Sequence, residues 1–262
     1  MAEREKILRY YRASGDEAIA AQLLDLAENT LRSRKYKISD FLDPYGFTIA
    51  ETIIAHYDGR LVLQALGGYE DAERNKAVFI SNDYLGKVDS PIAALQISWD
   101  GRYDHLSHRD VLGALIGLGI KREVFGDILM QGEQCQIIVD RTLAAFVLEN
   151  LSDVGSAKVS VAEIALTDIV APEKKVKEIK TTVASLRLDV IAAAGFGVSR
   201  SRMADEIAAD KIKVNWQSAK NSAQTVKQGD VLSMRGRGRV EVCEIIGQTK
   251  KGRTSIFLKR FI

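Results

Sequence analysis

The chain has 262 residues, enough for two or three domains or one large one. Its composition, 46% hydrophobic and 27% charged, is that of a soluble globular protein and excludes low-complexity and fibrous classes. The net charge of +2 hides an asymmetry, because residues 181–262 carry 15 Lys and Arg against 7 Asp and Glu, so a small basic unit is joined to a mildly acidic remainder.

A basic unit of this size suits phosphate backbones or anionic membrane surfaces. No apolar run reaches the roughly 18 residues that span a bilayer, so no integral membrane segment is expected. The N-terminal MAEREKILRYYR is charged and has no apolar region of a secretory signal. Cys135 and Cys243 lie far apart and outside any CxxC, which points to a reducing compartment, and a cytoplasmic location is expected.

The first third reads as helical. A helix is expected from Asp16 to about Lys35, with Ile19, Leu23, Leu26 and Thr30 near helical spacing and Asp16 as its cap. A second starts after Asp43-Pro44, where proline suits a first turn, and ends at Asp58-Gly59. LVLQALGGY, KAVFISN and IAALQISWD are short apolar or alternating runs with a strand signature. A helix follows over His108–Leu118 with Ser107 as N-cap, then a hairpin turning at Gly132-Glu133, a helix over Arg141–Leu151 and a strand in KVSVAEIAL. Strand pairs with intervening helices predict an α+β sheet domain with helices on one face. APEKKVKEIK, residues 171–180, reads as either a linker or an edge strand, and a domain boundary is placed near it.

The last unit is expected to begin with an amphipathic helix, TTVASLRLDVIAAAG, closed by Gly195. Ser199 then caps a second helix through Ala209, with Met203, Ile207 and Ala208 inward, and strands follow in IKVNW, VLSM, VEVCEII and TSIFLKRF. The start of the second helix holds unpaired backbone N–H groups and the positive end of the dipole, to which Arg200 and Arg202 add forked donors and full charge. Those cations are unfavourable for the helix alone, by roughly 0.3–1 kcal/mol each, and a bound phosphate reverses that sign. Arg187, Lys211 and Lys213 lie nearby in sequence. SMRGRGRVEV places Arg235, Arg237 and Arg239 at alternate positions, on one face if the segment is a strand. TKKGR, Thr249–Arg253, is expected to be a hairpin turn.

The order RLD, a short turn, SRS, then KVN, then V-x-x-GD and an Arg-Gly-rich segment resembles the small RNA-binding domain first recognised in ribosomal protein S4, the alpha-L motif. The matched positions are Arg187, Leu188, Asp189, Ser199, Arg200, Ser201, Val214, Asn215, Val226, Gly229 and Asp230. The resemblance implies that two helices and the following strand present a basic face to structured RNA. The chain departs from the pattern twice, with Asp210-Lys211 where the family usually has Gly after the second helix, and Trp216 where Gly often follows the Asn. An exposed Trp at that place is able to stack on a base; packing on the domain's own surface is the other reading.

Upstream, FLDPYG, GGYEDAERNKAVF and HRDVLGALIGLGIKREVFGDILM resemble the YlmH family, including a cyanobacterial and chloroplast branch labelled photosystem II S4-domain proteins. This resemblance covers nearly the whole chain. It implies a central domain like an RNA-recognition motif, a C-terminal alpha-L domain and association with ribosomal particles. The resulting architecture is an α+β multidomain chain: an N-terminal helical region over 1–58, a central RNA-recognition-motif-like domain over 59–170, and an alpha-L domain over 181–262.

His108-Arg109-Asp110 is superficially like a kinase catalytic loop, but the accompanying kinase motifs are missing from the sequence. His105 and His108 have no evident third metal ligand. Alpha-L domains are often fused to RNA-modifying enzymes, yet RLD falls in the RNA-binding helix, with no second copy upstream. The chain therefore reads as a non-enzymatic RNA-binding protein without a cofactor, acting on rRNA or tRNA with a ribosomal subunit as partner. An RNA-modifying enzyme, or an adaptor in cell division or photosystem assembly, is the alternative. The expected RNA-binding residues are Arg187, Ser199, Arg200, Ser201, Arg202, Lys211, Lys213, Asn215, Arg235, Arg237 and Arg239. In the central domain Arg109, Lys121, Arg122 and Arg141 are candidate contacts, and Phe79 and Trp99 candidate stacking residues.

Overall fold

The computed structural model describes residues 2–171, 176–219, 221–250 and 252–261. The chain divides into two compact units, residues 1–172 and 173–262.

The first unit opens with α1 (Ala2–Ser14) and α2 (Glu17–Ser33), followed by β1 (Tyr36–Leu42), α3 (Pro44–Ile54), β2 (Leu61–Leu66) and β3 (Asn75–Ser81). Helix α2 buries Ala20, Leu23, Leu24, Ala27 and Thr30, one stripe at helical spacing. Asp43 caps α3 by accepting Gly46 N at 2.8 Å, with Pro44 in the first turn, where its missing N–H costs nothing. The strands form an antiparallel sheet ordered β1-β3-β2, whose Leu61, Ala77 and Phe79 join the core of the helices. Residues 1–58 are thus not all helical. YKISDFL was hard to recognise because a polar residue, Ser39, points inward, where its Oγ accepts Ala77 N at 2.8 Å, and because a bulge breaks the alternation between Ile38 and Phe41. The strand from Asn75 pairs with this segment and the strand from Leu61 pairs with that from Asn75, neither joining the sheet that follows.

That second sheet contains β4 (Ile92–Trp99), β5 (Phe125–Gln131), β6 (Gln134–Asp140), β7 (Asp153–Val154) and β8 (Ala157–Ile164), with α4 (His108–Gly117) between β4 and β5 and α5 (Arg141–Asn150) between β6 and β7. Its order is β5-β6-β4-β8-β7. Setting aside the two-residue β7, this is a βαββαβ unit with β4 and β6 central, the strand arrangement of an RNA-recognition motif. Leu95, Ile97, Cys135, Ile137 and Val139 bury one face of the sheet with Val111, Leu115 and Val147 of the helices. The opposite face is occupied in part, with Ser160 and Ala162 of β8 exposed on it. Ile92, Leu129 and Ile138 pack with Phe41 of β1, and Gln136 binds the 168–170 segment, donating to Asp168 O at 3.1 Å and accepting Val170 N at 2.8 Å.

The second unit comprises β9 (Val176–Val183), α6 (Leu188–Phe196), α7 (Arg200–Ala208), β10 (Ile212–Val214), β11 (Gln217–Ser218), β12 (Val231–Met234), β13 (Gly238–Gln248) and β14 (Thr254–Phe261). One antiparallel sheet runs in the order β11-β10-β12-β13-β14-β9. Leu188, Ile191, Phe196, Met203 and Ile207 of the helices pack on its Ile212, Leu232, Val240, Val242, Ile256 and Leu258. The edge-strand reading of the 171–180 segment holds for Val176 onward, and residues 181–183 continue that strand against Thr254–Ile256. The first helix therefore starts at Leu188 and not at Thr181. Its left-handed terminal residue is Gly197, at φ 67°, with Gly195 buried inside the helix. Ala208 is exposed, unlike Met203 and Ile207.

Candidate RNA interface

The two helices of the second unit arrange their cations around two carboxylates, the buried Asp189 and the half-buried Glu206. Arg187, at the N-cap of α6, donates Nε and Nη2 to Asp189 Oδ1 and Oδ2 at 3.1 and 3.0 Å. Arg200, the first residue of α7, donates Nε to the same Oδ2 at 3.0 Å. The Asp189 side chain is 5% exposed, whereas those of Arg187 and Arg200 are 38% and 57% exposed. Arg187, and then Arg200, hold the Asp189 carboxyl below the ordinary aspartate range. The amides that open α6 are already satisfied, since Leu188 N and Asp189 N donate to Gln224 O and Ser222 O.

A second group stands around Glu206. Lys211 Nζ lies 2.7 Å from Glu206 Oε2, and Arg202 Nε lies 3.8 Å from Oε1. Lys211 first, with the Arg202 and Arg237 charges behind it, lowers the Glu206 pKa. Each carboxylate thus serves more than one cation, and each group keeps surplus positive charge. Ser199 caps α7 by accepting Arg202 N at 3.3 Å, and its Oγ lies 3.2 Å from Ser201 Oγ. The turn after α7 survives without glycine. Asp210 takes the left-handed position at φ 56°, Asp210 N donates to Ile207 O and Lys211 N to Glu206 O, closing the helix in a Schellman pattern.

The RGRGR segment is not a strand. Residues 235–237 form the turn between β12 and β13, with Gly236 at φ 76°, and only Arg239 lies in β13. Glycine's freedom at positive φ, and not the alternation of arginines, decides this stretch. Arg235 N donates to Lys211 O at 3.1 Å, which brings the turn to the end of α7. Arg260 braces it from below, donating to Phe196 O and Arg237 O at 3.2 and 3.4 Å with its guanidinium 5.8 Å from the Phe196 ring centre. The sequence reading gave Arg260 no role, and also missed Asp189 and Glu206 as anchors; the i, i+4 spacing of Arg202 and Glu206 was the available signal.

Lys213 and Arg239 belong elsewhere. Ile212, Val214 and Val240 point into the core, so Lys213 and Arg239 project from the face of the sheet that the helices leave uncovered. They flank Ser233 in one cross-strand row. Asn215 is engaged inside the unit. Its Nδ2 donates to Asp230 Oδ1 at 2.9 Å and its Oδ1 accepts Val231 N at 2.8 Å. The amide locks a two-residue turn between β10 and β11 in which both Asn215 and Trp216 have positive φ, 48° and 66°.

In the first unit the candidate contacts separate. Arg122 is a brace, donating Nη1 to Phe125 O and Gly126 O at 2.6 and 3.0 Å over the Phe125 ring, and burial draws its pKa down to about 10. Arg141 spans Glu163 and Ile92 O, while Arg109 and Lys121 are exposed. Phe79 and Trp99 are 0% and 8% exposed in the two cores, so neither is placed to stack a base. Asp110 binds Ser107 N at 2.9 Å and so fastens the start of α4, a structural use of the His-Arg-Asp stretch.

The βαββαβ unit and the carboxylate-anchored basic helices define a multidomain RNA-binding protein ending in an S4-type domain. Residues 87–168 match the family described as "Putative RNA-binding domain in YlmH", and residues 186–232 match the S4 domain. The chain is 33% identical over 247 residues to the ribosome-associated protein quality control protein P2 of Bacillus subtilis, covering 94% of this chain and 95% of the relative. It also resembles the solved structure of cell division protein YlmH from Streptococcus pneumoniae, with a TM-score of 0.52 at 21% identity, over 60% of this chain and 95% of that one. The chain belongs to the YlmH family that includes the Bacillus protein, and is an RNA-binding protein related to that relative. No helix among the described residues is long and apolar enough to cross a membrane.

Proposed function

We propose that this chain binds folded rRNA or tRNA on a ribosomal subunit and serves ribosome-associated quality control or assembly in the cytoplasm. The observation that carries the reading is the pair of cation groups on α6 and α7, each assembled on a carboxylate yet each retaining net positive charge. Cations fixed in this way meet phosphates without first ordering long side chains, which lowers the entropy cost of binding. RNA phosphates would sit against Arg187, Ser199–Arg202, Lys211 and the turn carrying Arg235 and Arg237. Lys213 and Arg239 would meet a strand wrapping past the sheet edge. Because the open face of the βαββαβ sheet is partly covered and its exposed part carries the small side chains Ser160 and Ala162, that domain would act through shape or protein contacts and not by base stacking. The Bacillus relative's name supports the ribosomal setting. Membership of the cyanobacterial and chloroplast branch rests on the motif resemblance alone.

The test is charge reversal of Arg200 and Arg202 together, measured by gel shift on rRNA and tRNA fragments, with circular dichroism confirming the fold. The double variant should lose most of its affinity. Unchanged affinity would move the site away from α7.

A further inference from the structure

Trp216 occupies a turn position that favours glycine, half-buried and outside the packed core of the second unit. The β10–β11 hairpin closes through a two-residue turn with φ 48° at Asn215 and φ 66° at Trp216. Such a turn favours Asn followed by Gly, because glycine reaches positive φ without a steric penalty. A bulky side chain there is a conformational outlier. The turn is fastened by Asn215, through Asp230 and the Val231 amide, independently of the residue beside it. Nor is Trp216 part of the packed core of the second unit, although it is the largest apolar side chain there. Among the described residues no ring pairing or cation–π contact engages it. It is partly exposed at the tip of the outermost hairpin of the sheet, and the exposed Lys213 leads into the same turn. A residue held in an unfavourable conformation, by a lock that does not depend on it, invites a functional explanation.

We propose that Trp216 is a stacking platform for an unpaired nucleobase, reading a loop or bulge next to the helical RNA held by the cations of α6 and α7. This inference rests on the RNA-binding reading above and adds a ligand class to it, an extruded base. An indole face accepts any base, so the contact would select unpaired over paired RNA without selecting sequence.

The experiment compares two RNAs of equal length, a hairpin with an unpaired loop and a blunt perfect duplex, titrated against the full chain and monitored by binding and by tryptophan emission. Trp99, the other tryptophan, is 8% exposed in the first unit, so a change on binding reports Trp216. Trp216→Gly should weaken loop-RNA binding by about 5- to 150-fold, the range of one base–aromatic stack, leave duplex binding nearly unchanged, and keep or raise the melting temperature because the turn is relaxed. Trp216→Phe should retain most loop binding and lose the emission change. If Trp216→Gly binds both RNAs like the parent, or weakens both equally, the platform is wrong while the RNA-binding reading stands. If the parent chain binds neither RNA, both fall.

Discussion

Asp189 accepts a 3.0 Å hydrogen bond from Arg200 Nε while Arg187 grips it through two further nitrogens, so one buried carboxylate sets the spacing of two exposed guanidinium groups across the α6–α7 hairpin. Simple charge counting says that deleting an acid from an RNA-facing surface strengthens binding. Positioning says the reverse. Asp189→Asn keeps the shape and loses the charge-assisted bonds that order both arginines. The expected outcome is RNA affinity lowered by about 5- to 30-fold, from roughly 1–2 kcal/mol of lost preorganisation, measured by filter binding at fixed salt. A gain in affinity would show that the arginines find phosphates without the anchor.

Phosphate recognition by this surface has a thermodynamic signature. With two carboxylates already sharing the helix cations, the surface should neutralise ~3–6 phosphates, each releasing about 0.7–0.9 of a counterion, for a log–log salt slope of roughly −2 to −5. Arg200→Ala should flatten that slope by about one contact. A slope near zero would mean that binding does not run through phosphates.

Much of this arrangement could be read from the sequence, and the misses share a physical cause. Ser199 as the α7 cap, the two helices and the β5–β6 hairpin follow from local rules of capping, periodicity and turn chemistry. What escaped depends on partners distant in sequence. Thr181–Val183, expected to open a helix, is strand because β14 supplies its hydrogen bonds, and YKISDFL is strand because β3 does. Arg235 and Arg237 were expected to share a strand face, but two positive-φ glycines, Gly236 and Gly238, make a hairpin turn there. Arg122 looked like a surface cation and is spent on the Phe125 and Gly126 carbonyls. Asn215 matched the family's motif, and its amide serves the turn.

The anchored carboxylates also fix a pH response. Folding lowers the Asp189 pKa below the ordinary value of 3.8 and the Glu206 pKa below 4.5. A carboxylate depressed in the folded state contributes stability above its unfolded pKa and loses it as pH falls through the folded value. The second unit should therefore keep this contribution at neutral pH and lose it progressively once the pH drops below about 4.5. Thermal melts between pH 7 and pH 2.5 should show the loss, and Asp189→Asn should reduce it. An identical acid profile for the variant would mean that Asp189 contributes nothing to folding.

Gly195 tests how closely the helices that carry the site must sit on the sheet beneath them. It lies within α6, buried, and a Cβ added there would stand 2.6 Å from Val240 Cγ1 and 3.0 Å from Cγ2. Helix propensity alone favours alanine over glycine by about 1 kcal/mol. The contact opposes it, because Val240 is fully buried and β-branched, with little rotamer freedom to retreat. Overpacking of this kind costs roughly 1–3 kcal/mol, so Gly195→Ala should destabilise the second unit despite its better propensity. Val240→Ala in the same chain opens a space beside the new methyl, and the pair should lose less stability than the two single changes added together. Urea unfolding of the four chains measures the coupling. Additive losses would mean that α6 does not rest on Val240 at this point.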